Sequence, residues 1–136
     1  VEHLQKAGIV RFYGFQEDPR PFYAQADCVV LPSYHEGMSN VLLEAAASGR
    51  AIITTDIPGC REAVDNGKSG MLCRVKSADS LYKAMKRFTE LSRDRREAIG
   101  KAGREKMEKE FDKNQVVEET VKVITGNRSK QERGRL

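Results

Sequence analysis

The sequence predicts an α/β protein, an open parallel sheet flanked by helices, with extra helices at its C-terminal end. Three observations point there. Cys28-Val29-Val30-Leu31, ended by Pro32, and Ala51-Ile52-Ile53-Thr54 are short, almost wholly apolar runs, the pattern of parallel strands buried on both faces. A helical segment lies between them, opened by Ser39 and closed by Gly49. Beyond Cys73 the apolar residues change to the three- and four-residue spacing of amphipathic helices.

In chain order, Ile9-Val10-Arg11-Phe12 reads as a first strand. Phe22, Tyr23 and Ala26 sit at helical spacing just after Pro21, a residue suited to a first turn. Cys28–Leu31 is the second strand. Ser39 then caps a helix over Asn40–Ser48, and Ala51–Thr54 is the third strand. A short helix is expected near Arg61–Val64, a turn at Asp65-Asn66-Gly67, and a last strand at Gly70–Cys73. Ser77 caps a helix with Leu81, Ala84, Met85, Phe88 and Leu91 on one face. Ile99, Met107 and Phe111 mark another, weakened by Gly100 and Gly103. Asp112 opens a third, with Val116, Val117, Thr120, Val121 and Ile124 along one stripe. Four strands alternating with helices imply a Rossmann-like sheet. Such sheets take ligands at the carboxyl ends of their strands, which directs attention to the loops after Phe12, Leu31 and Thr54.

The 136 residues suffice for one domain with a real core, read as residues 1–125 followed by a basic tail, residues 126–136, expected to be disordered. Hydrophobic residues make up 39% and charged residues 32%, as in a globular protein with a polar surface. No run approaches the ~20 apolar residues of a membrane span. The start, Val1-Glu2-His3-Leu4-Gln5-Lys6, has no signal-peptide core; the lack of an initial Met leads us to expect upstream sequence. Cys28, Cys60 and Cys73 are odd in number and form no CxxC, so neither a disulfide framework nor a zinc site is indicated, and a reduced, cytoplasmic protein is expected. The net charge is +4, with Arg128, Lys130, Arg133 and Arg135 set against Glu132 in the tail. That tail is either an anion-binding segment, for nucleic acid or anionic lipid, or simply a solvated terminus. Nucleic acid is the weakest of the candidate partners, because the basic residues are not interleaved with aromatics.

The stretch from Pro32 to Gly49 carries the chemistry. Gly37 beside a helix start lets backbone approach a ligand closely. The first amides of the helix, near Asn40 to Leu42, lack intrahelical partners and, with the helix dipole, form an anion site. Glu44 stands in the otherwise apolar run Val41-Leu42-Leu43-Glu44-Ala45-Ala46-Ala47 of a helix expected to be largely buried. A buried carboxylate needs a partner. Either an Arg or Lys from another element supplies it, or Glu44 accepts hydrogen bonds from a ligand's hydroxyls.

Glu36, seven intervening residues and Glu44, with Pro32-Ser33 before and Gly49 after, resemble the E-x7-E signature of the family 4 retaining glycosyltransferases. The segments Thr54 to Val64, Asn66 to Leu72 and Ile9 to Phe15 resemble the elements that flank that signature, and the likeness covers about residues 1 to 125. The resemblance implies one half of a GT-B fold, the domain that binds the nucleotide diphosphate sugar. It implies that Glu44 holds the ribose hydroxyls, and that Ser39, Asn40 and Val41 face the diphosphate. Glu36, with a catalytic role, Gly37 and Met38 would then face the transferred sugar. The loop of Tyr13, Gly14 and Phe15 would touch the base, although ordinary loop packing explains Tyr13 and Phe15 equally well. His35 is read as a surface loop residue, and Cys60, Arg61 and Glu62 as capping a short helix. The family's chemistry is front-face substitution with retention, in which oriented donors stabilise the departing diphosphate and no covalent glycosyl-enzyme forms.

The resemblance further implies a UDP-sugar donor before other nucleotide sugars. No metal is expected, because no Asp-x-Asp occurs. The acceptor, a glycan or a lipid-linked glycan, would bind through a half of the protein not contained here, at the inner face of a membrane with peripheral association as one setting. A bacterial envelope-polysaccharide type is suggested by Pro58-Gly59-Cys60-Arg61-Glu62. The family's diphosphate-binding Arg and Lys belong to an element that should precede Val1, so the chain alone is expected not to transfer sugar. Two alternatives remain: a non-catalytic nucleotide-binding or interaction module, and an epimerase or phosphorylase on the same fold.

Overall fold

In the computed structural model, residues 2–34 and 39–110 are described. Helix α1 (Glu2–Lys6) and helix α2 (Arg20–Gln25) precede strand β1 (Cys28–Leu31). Helix α3 (Asn40–Ala47), strand β2 (Ala51–Thr55), a 3-10 turn (Arg61–Ala63) and strand β3 (Gly70–Cys73) follow, then helices α4 (Ala78–Glu90) and α5 (Arg93–Glu110). The sheet is parallel with order β1-β2-β3; Cys28 lies opposite Ala51 and Ile52 opposite Gly70.

Side chains alternate across the sheet with period two, and both faces are apolar. Val29, Leu31, Ile52 and Leu72 point into a layer with Leu42, Leu43, Ala45 and Ala46 of α3 and with Ile57, Cys60 and Val64. Cys28, Val30, Ile53, Met71 and Cys73 point the other way, onto Ala84 and Phe88 of α4 and Ile99 of α5. This double burial makes the strands legible as unbroken apolar runs. It also pushes the Cys28 thiol up to about 12, against the weaker lowering effect of a backbone hydrogen bond.

Helix α3 is closed at both ends by its own sequence. Ser39 Oγ accepts the Leu42 N–H at 3.4 Å. At the other end Gly49, at φ 75°, lets the Gly49 N–H reach Ala46 O at 2.9 Å and the Arg50 N–H reach Ala45 O at 3.0 Å, a Schellman closure. Helix α5 passes under the amino ends of the strands. Its Gly100 lies on the Gly49 carbonyl and its Gly103 beside Ser69, just before β2 and β3 respectively. There Lys106, its side chain 9% exposed, bridges Asp65 at 3.1 Å and Glu110 at 2.7 Å. Burial opposes the Lys106 charge, but the bonds to Glu110 and Asp65 outweigh it and raise its pKa. The amino ends are thus packed, and the carboxyl ends of the strands are left to the loops.

Four sequence expectations need correction. Ile9–Phe12 is not a strand, so three strands stand among the described residues rather than four. Among the described residues the segment has no strand beside it, and Ile9 and Phe12 stay exposed, so extended backbone gains neither pairing nor burial there. Gly100 and Gly103 do not weaken α5; they are buried where it crosses neighbouring backbone. Met85 lies outside the core, exposed on α4, and Leu91 packs on the core from the position that ends that helix. Helix α1 was not anticipated from the pattern. The expected helix from Asp112 to Ile124, Phe111 and the tail lie outside the described residues.

Candidate functional site

The site is built where β1 runs into α3. Two buried threonines at the end of β2 fix the chain leaving β1: Thr54 Oγ1 donates to Leu31 O at 2.8 Å and Thr55 Oγ1 to Ser33 O at 2.6 Å. The helix start is held from a third side, since Ser39 N–H donates to Gly59 O at 3.3 Å and Glu62 Oε2 accepts the Gly59 N–H at 2.7 Å. Arg61 donates to the Asp56 carbonyl at 3.2 Å and pairs with its carboxylate at 3.1 Å. Arg61 and Glu62 therefore organise the loop after β2, which braces the N-cap.

With Ser39 Oγ on the Leu42 amide and Ser39 O on the Leu43 amide at 3.2 Å, Asn40 and Val41 carry the first-turn N–H groups that have no intrahelical partner. Both residues are solvent-exposed, while Leu42, Leu43, Ala45 and Ala46 are buried, so the helix is largely buried as expected beyond its first two residues. Glu44 is half-buried one turn further on, and its described hydrogen bond is not to an Arg or Lys: Tyr23 Oη of α2 donates to Glu44 Oε2 at 3.3 Å. A neutral donor satisfies one lone pair and leaves the carboxylate its charge and its other acceptor positions. Burial, then the Glu44 charge, then the bond itself push the Tyr23 hydroxyl up to about 12, so it remains a donor throughout the physiological range. Arg20, at the start of α2, lies close enough to Glu44 to feel its charge, while its guanidinium forks onto Asp18 at 2.7 and 2.8 Å.

Helix α2 also carries the other expected binding loop. The Tyr13 ring meets Phe22 edge-on at 4.6 Å between centroids, and Gly14 adopts φ 67° with open space where a side chain would stand. The loop-packing reading of Tyr13 is therefore real, and the residue is still about half exposed. Phe15 is 91% exposed. Neighbouring residues Phe22 and Tyr23 of one helix thus brace Tyr13 and Glu44. The sequence reading missed Tyr23 as a site residue, having placed it only by helical spacing; the available signal was a tyrosine among core positions, whose hydroxyl requires a polar partner. A cavity of about 300 Å³ opens at the same strand ends, lined by Pro32, Tyr34, Thr55, Cys73, Arg74 and Lys76, with Lys76 Nζ 6.0 Å from the centre of the Tyr34 ring. His35, Glu36, Gly37 and Met38 lie outside the described residues.

The sequence profile of the glycosyl transferases group 1 matches residues 1–90 of the chain. The chain belongs to this family. It is 27% identical over 89% of its length to a lipopolysaccharide core biosynthesis glycosyltransferase of Rhizobium meliloti. It is 30% identical over 93% of its length to a Campylobacter jejuni N-acetylgalactosaminyltransferase named for a diphospho-undecaprenol substrate. The chain spans about a third of the length of these relatives, 35% and 34%. Among solved structures, an Anabaena protein, HepE, crystallised with UDP superposes with a TM-score of 0.73 and 21% identity over 95% of this chain and 35% of that one. The fold of this group 1 glycosyltransferase chain is that of its GT-B structural neighbours, a parallel sheet flanked by helices.

Proposed function

We propose that this chain is the donor-binding half of a retaining glycosyltransferase that moves a sugar from a nucleotide diphosphate sugar, UDP-sugar before others, to a glycan or lipid-linked acceptor. The observation that carries the reading is the pairing on α3 of open first-turn amides at Asn40 and Val41 with a half-buried, tyrosine-anchored carboxylate at Glu44. Four residues of helix advance about 6 Å, the scale that separates a diphosphate from the hydroxyls of its ribose. Diphosphate oxygens accept from the amides of Asn40 and Val41, where the helix dipole favours negative charge; Ser39, whose own amide is bonded to Gly59 O, caps the turn that presents them. The ribose hydroxyls donate to Glu44. Tyr13 and Gly14 border the base. Glu36, Gly37 and Met38 contact the transferred sugar, Glu36 at its reacting face.

The chemical demand is to stabilise negative charge on the departing diphosphate, which fixed amide dipoles meet without a covalent intermediate and without a metal. The relatives named for lipopolysaccharide core and diphospho-undecaprenol support an envelope-glycan acceptor, and the neighbour crystallised with UDP supports a uridine donor. The reaction runs at the cytoplasmic side of a membrane. No helix among the described residues is long and apolar enough to cross one. With the chain spanning a third of its relatives, donor binding is its part of the activity, and transfer requires the remainder.

Calorimetric titration with UDP, GDP and ADP and their sugars tests the reading. One nucleotide should bind, and Glu44→Ala should weaken it about tenfold or more, as expected on losing hydrogen bonds to a charged acceptor. Binding indifferent to Glu44, or none to a folded protein, overturns the assignment in favour of a non-catalytic module.

A further inference from the structure

The loop after β2 reaches the start of α3 through a single glycine. Its footing is apolar. Ile57, Cys60, Ala63 and Val64 are buried in the layer that α3 shares with the sheet. The 3-10 turn among them is closed by the Arg61 N–H on Ile57 O at 2.9 Å and the Ala63 N–H on Cys60 O at 3.1 Å. Arg61 ties the near end of the loop down at Asp56. Glu62 therefore stands on a fixed mount, with its side chain at the surface. Its Oε2 accepts the Gly59 N–H at 2.7 Å, a short bond to a charged acceptor. Gly59 holds φ 90°, a conformation open to glycine, and its carbonyl accepts the Ser39 N–H at 3.3 Å. Ser39 passes the constraint on, its hydroxyl oxygen accepting the Leu42 N–H and its carbonyl the Leu43 N–H. The relay ends at Asn40 and Val41, whose amides stay open.

We propose that Glu62 is a positioning residue for the donor's diphosphate: through Gly59 it sets the N-cap of α3, and thereby the aim of the Asn40 and Val41 amides. The inference rests on the donor-site reading of α3 and adds a residue that acts on the ligand at second hand. A hydrogen bond weakens steeply as its donor turns off line, so a cap held in one orientation serves an anion better than one free to tilt. Charge acts in the opposite direction. A carboxylate near the start of α3 repels a diphosphate, so a purely electrostatic Glu62 would be a hindrance to binding. The two effects differ in sign when the side chain is truncated. Glutamine, which keeps an acceptor oxygen and loses the charge, separates them.

Three probes on the whole chain divide the site: inorganic pyrophosphate for the amides, uridine for the nucleoside part, and UDP for both. Each is titrated at constant ionic strength and followed by amide shifts, with a melting temperature for every variant. Glu62→Ala should weaken pyrophosphate and UDP about fivefold, on the scale of one hydrogen bond, and leave uridine unchanged. Glu62→Gln should restore both to wild-type affinity or slightly tighter. Glu62→Asp, which keeps the charge on a shorter arm, should weaken as alanine does, and it decides the matter if the alanine variant does not fold. Glu44→Ala should give the reverse pattern, weakening uridine and UDP while sparing pyrophosphate. If neither pyrophosphate nor UDP shifts Asn40 and Val41 in the wild type, the donor-site reading falls and this inference with it. If pyrophosphate binds there and the alanine and aspartate variants bind it as well or better, the positioning role alone is overturned, and Glu62 is a brace of the loop or a bare charge. Equal weakening of all three probes, or a glutamine variant no better than alanine, overturns it as well.

Discussion

Glu44 shows what a single residue disclosed and what it withheld. A lone carboxylate in an apolar helical run demanded a partner, and that was legible from the letters. The partner's identity was not, because Tyr23 lies 21 residues away on another helix, and only the folded chain brings its hydroxyl to the carboxylate. The distinction has consequences. An Arg or Lys would have neutralised Glu44, whereas a phenol orients it and leaves it anionic. Tyr23→Phe should therefore keep the fold and weaken nucleotide binding about fivefold, less than Glu44→Ala, because one positioning hydrogen bond is lost and the acceptor remains. The same substitution has a pH signature. The folded hydroxyl titrates near 12, above its ordinary value of 10.0, so its contribution to stability is complete below pH 10 and is lost as pH rises through 12. Chemical denaturation between pH 9 and 12 should show a steeper alkaline loss in the wild type than in Tyr23→Phe. Parallel curves would mean that Tyr23 is not held as described.

At the scale of elements, legibility followed the range of the forces. Strands β1 and β3 begin and end where the apolar runs do, because burial on both faces is written into consecutive residues. Helix α3 was bounded by Ser39 and Gly49, whose capping acts within a turn. Ile9–Phe12 failed because a strand needs a neighbour, and pairing is not local. The glycines of α5 were misread for a related reason: helix propensity is local, but close approach is not. They now give opposed predictions. A methyl at Gly100 would land on the Gly49 carbonyl oxygen, far inside van der Waals contact with backbone. Alanine at Gly103 would meet nothing nearer than 3.6 Å. Alanine improves an exposed helix by about 1 kcal/mol over glycine. Gly103→Ala should thus be neutral or stabilising by up to about that amount, whereas at Gly100 overpacking of about 1–3 kcal/mol or more exceeds the gain. Urea midpoints decide the matter, and equal effects at the two positions would contradict the packing of α5 against the turn before β2. Ser39→Ala, which removes the cap of α3, should cost about 1 kcal/mol in the same experiment.

The whole molecule is asymmetric from end to end and from edge to edge. Helix α5 seals the amino ends of the strands, and the Lys106 bridge pins it to the turn before β3, so that end is built for rigidity. The carboxyl ends carry the loops, the exposed first turn of α3 and Glu44, the arrangement expected of a sheet that binds at its strand tips. Ahead of α2, the segment expected to form a strand and the loop after it display Ile9 (71% exposed), Phe12 (69%) and Phe15 (91%), with Tyr13 half exposed. Side chains of this kind, gathered within seven residues, are more than the scattered apolar exposure of an ordinary surface. They lie beside the proposed base-binding loop, so the cost of their exposure and the construction of the site are linked through α2. The isolated chain should accordingly bind a hydrophobic dye and self-associate as its concentration rises. The double substitution Phe12→Ser, Phe15→Ser should reduce both, leaving the Tyr13–Phe22 contact and the melting temperature near their original values. Sedimentation velocity over a hundredfold concentration range separates the outcomes. If the wild-type chain stays monomeric and dark to the dye, or if the double variant associates equally, the apolar segment is not the adhesive surface, and its aromatics belong to the packing of the loop.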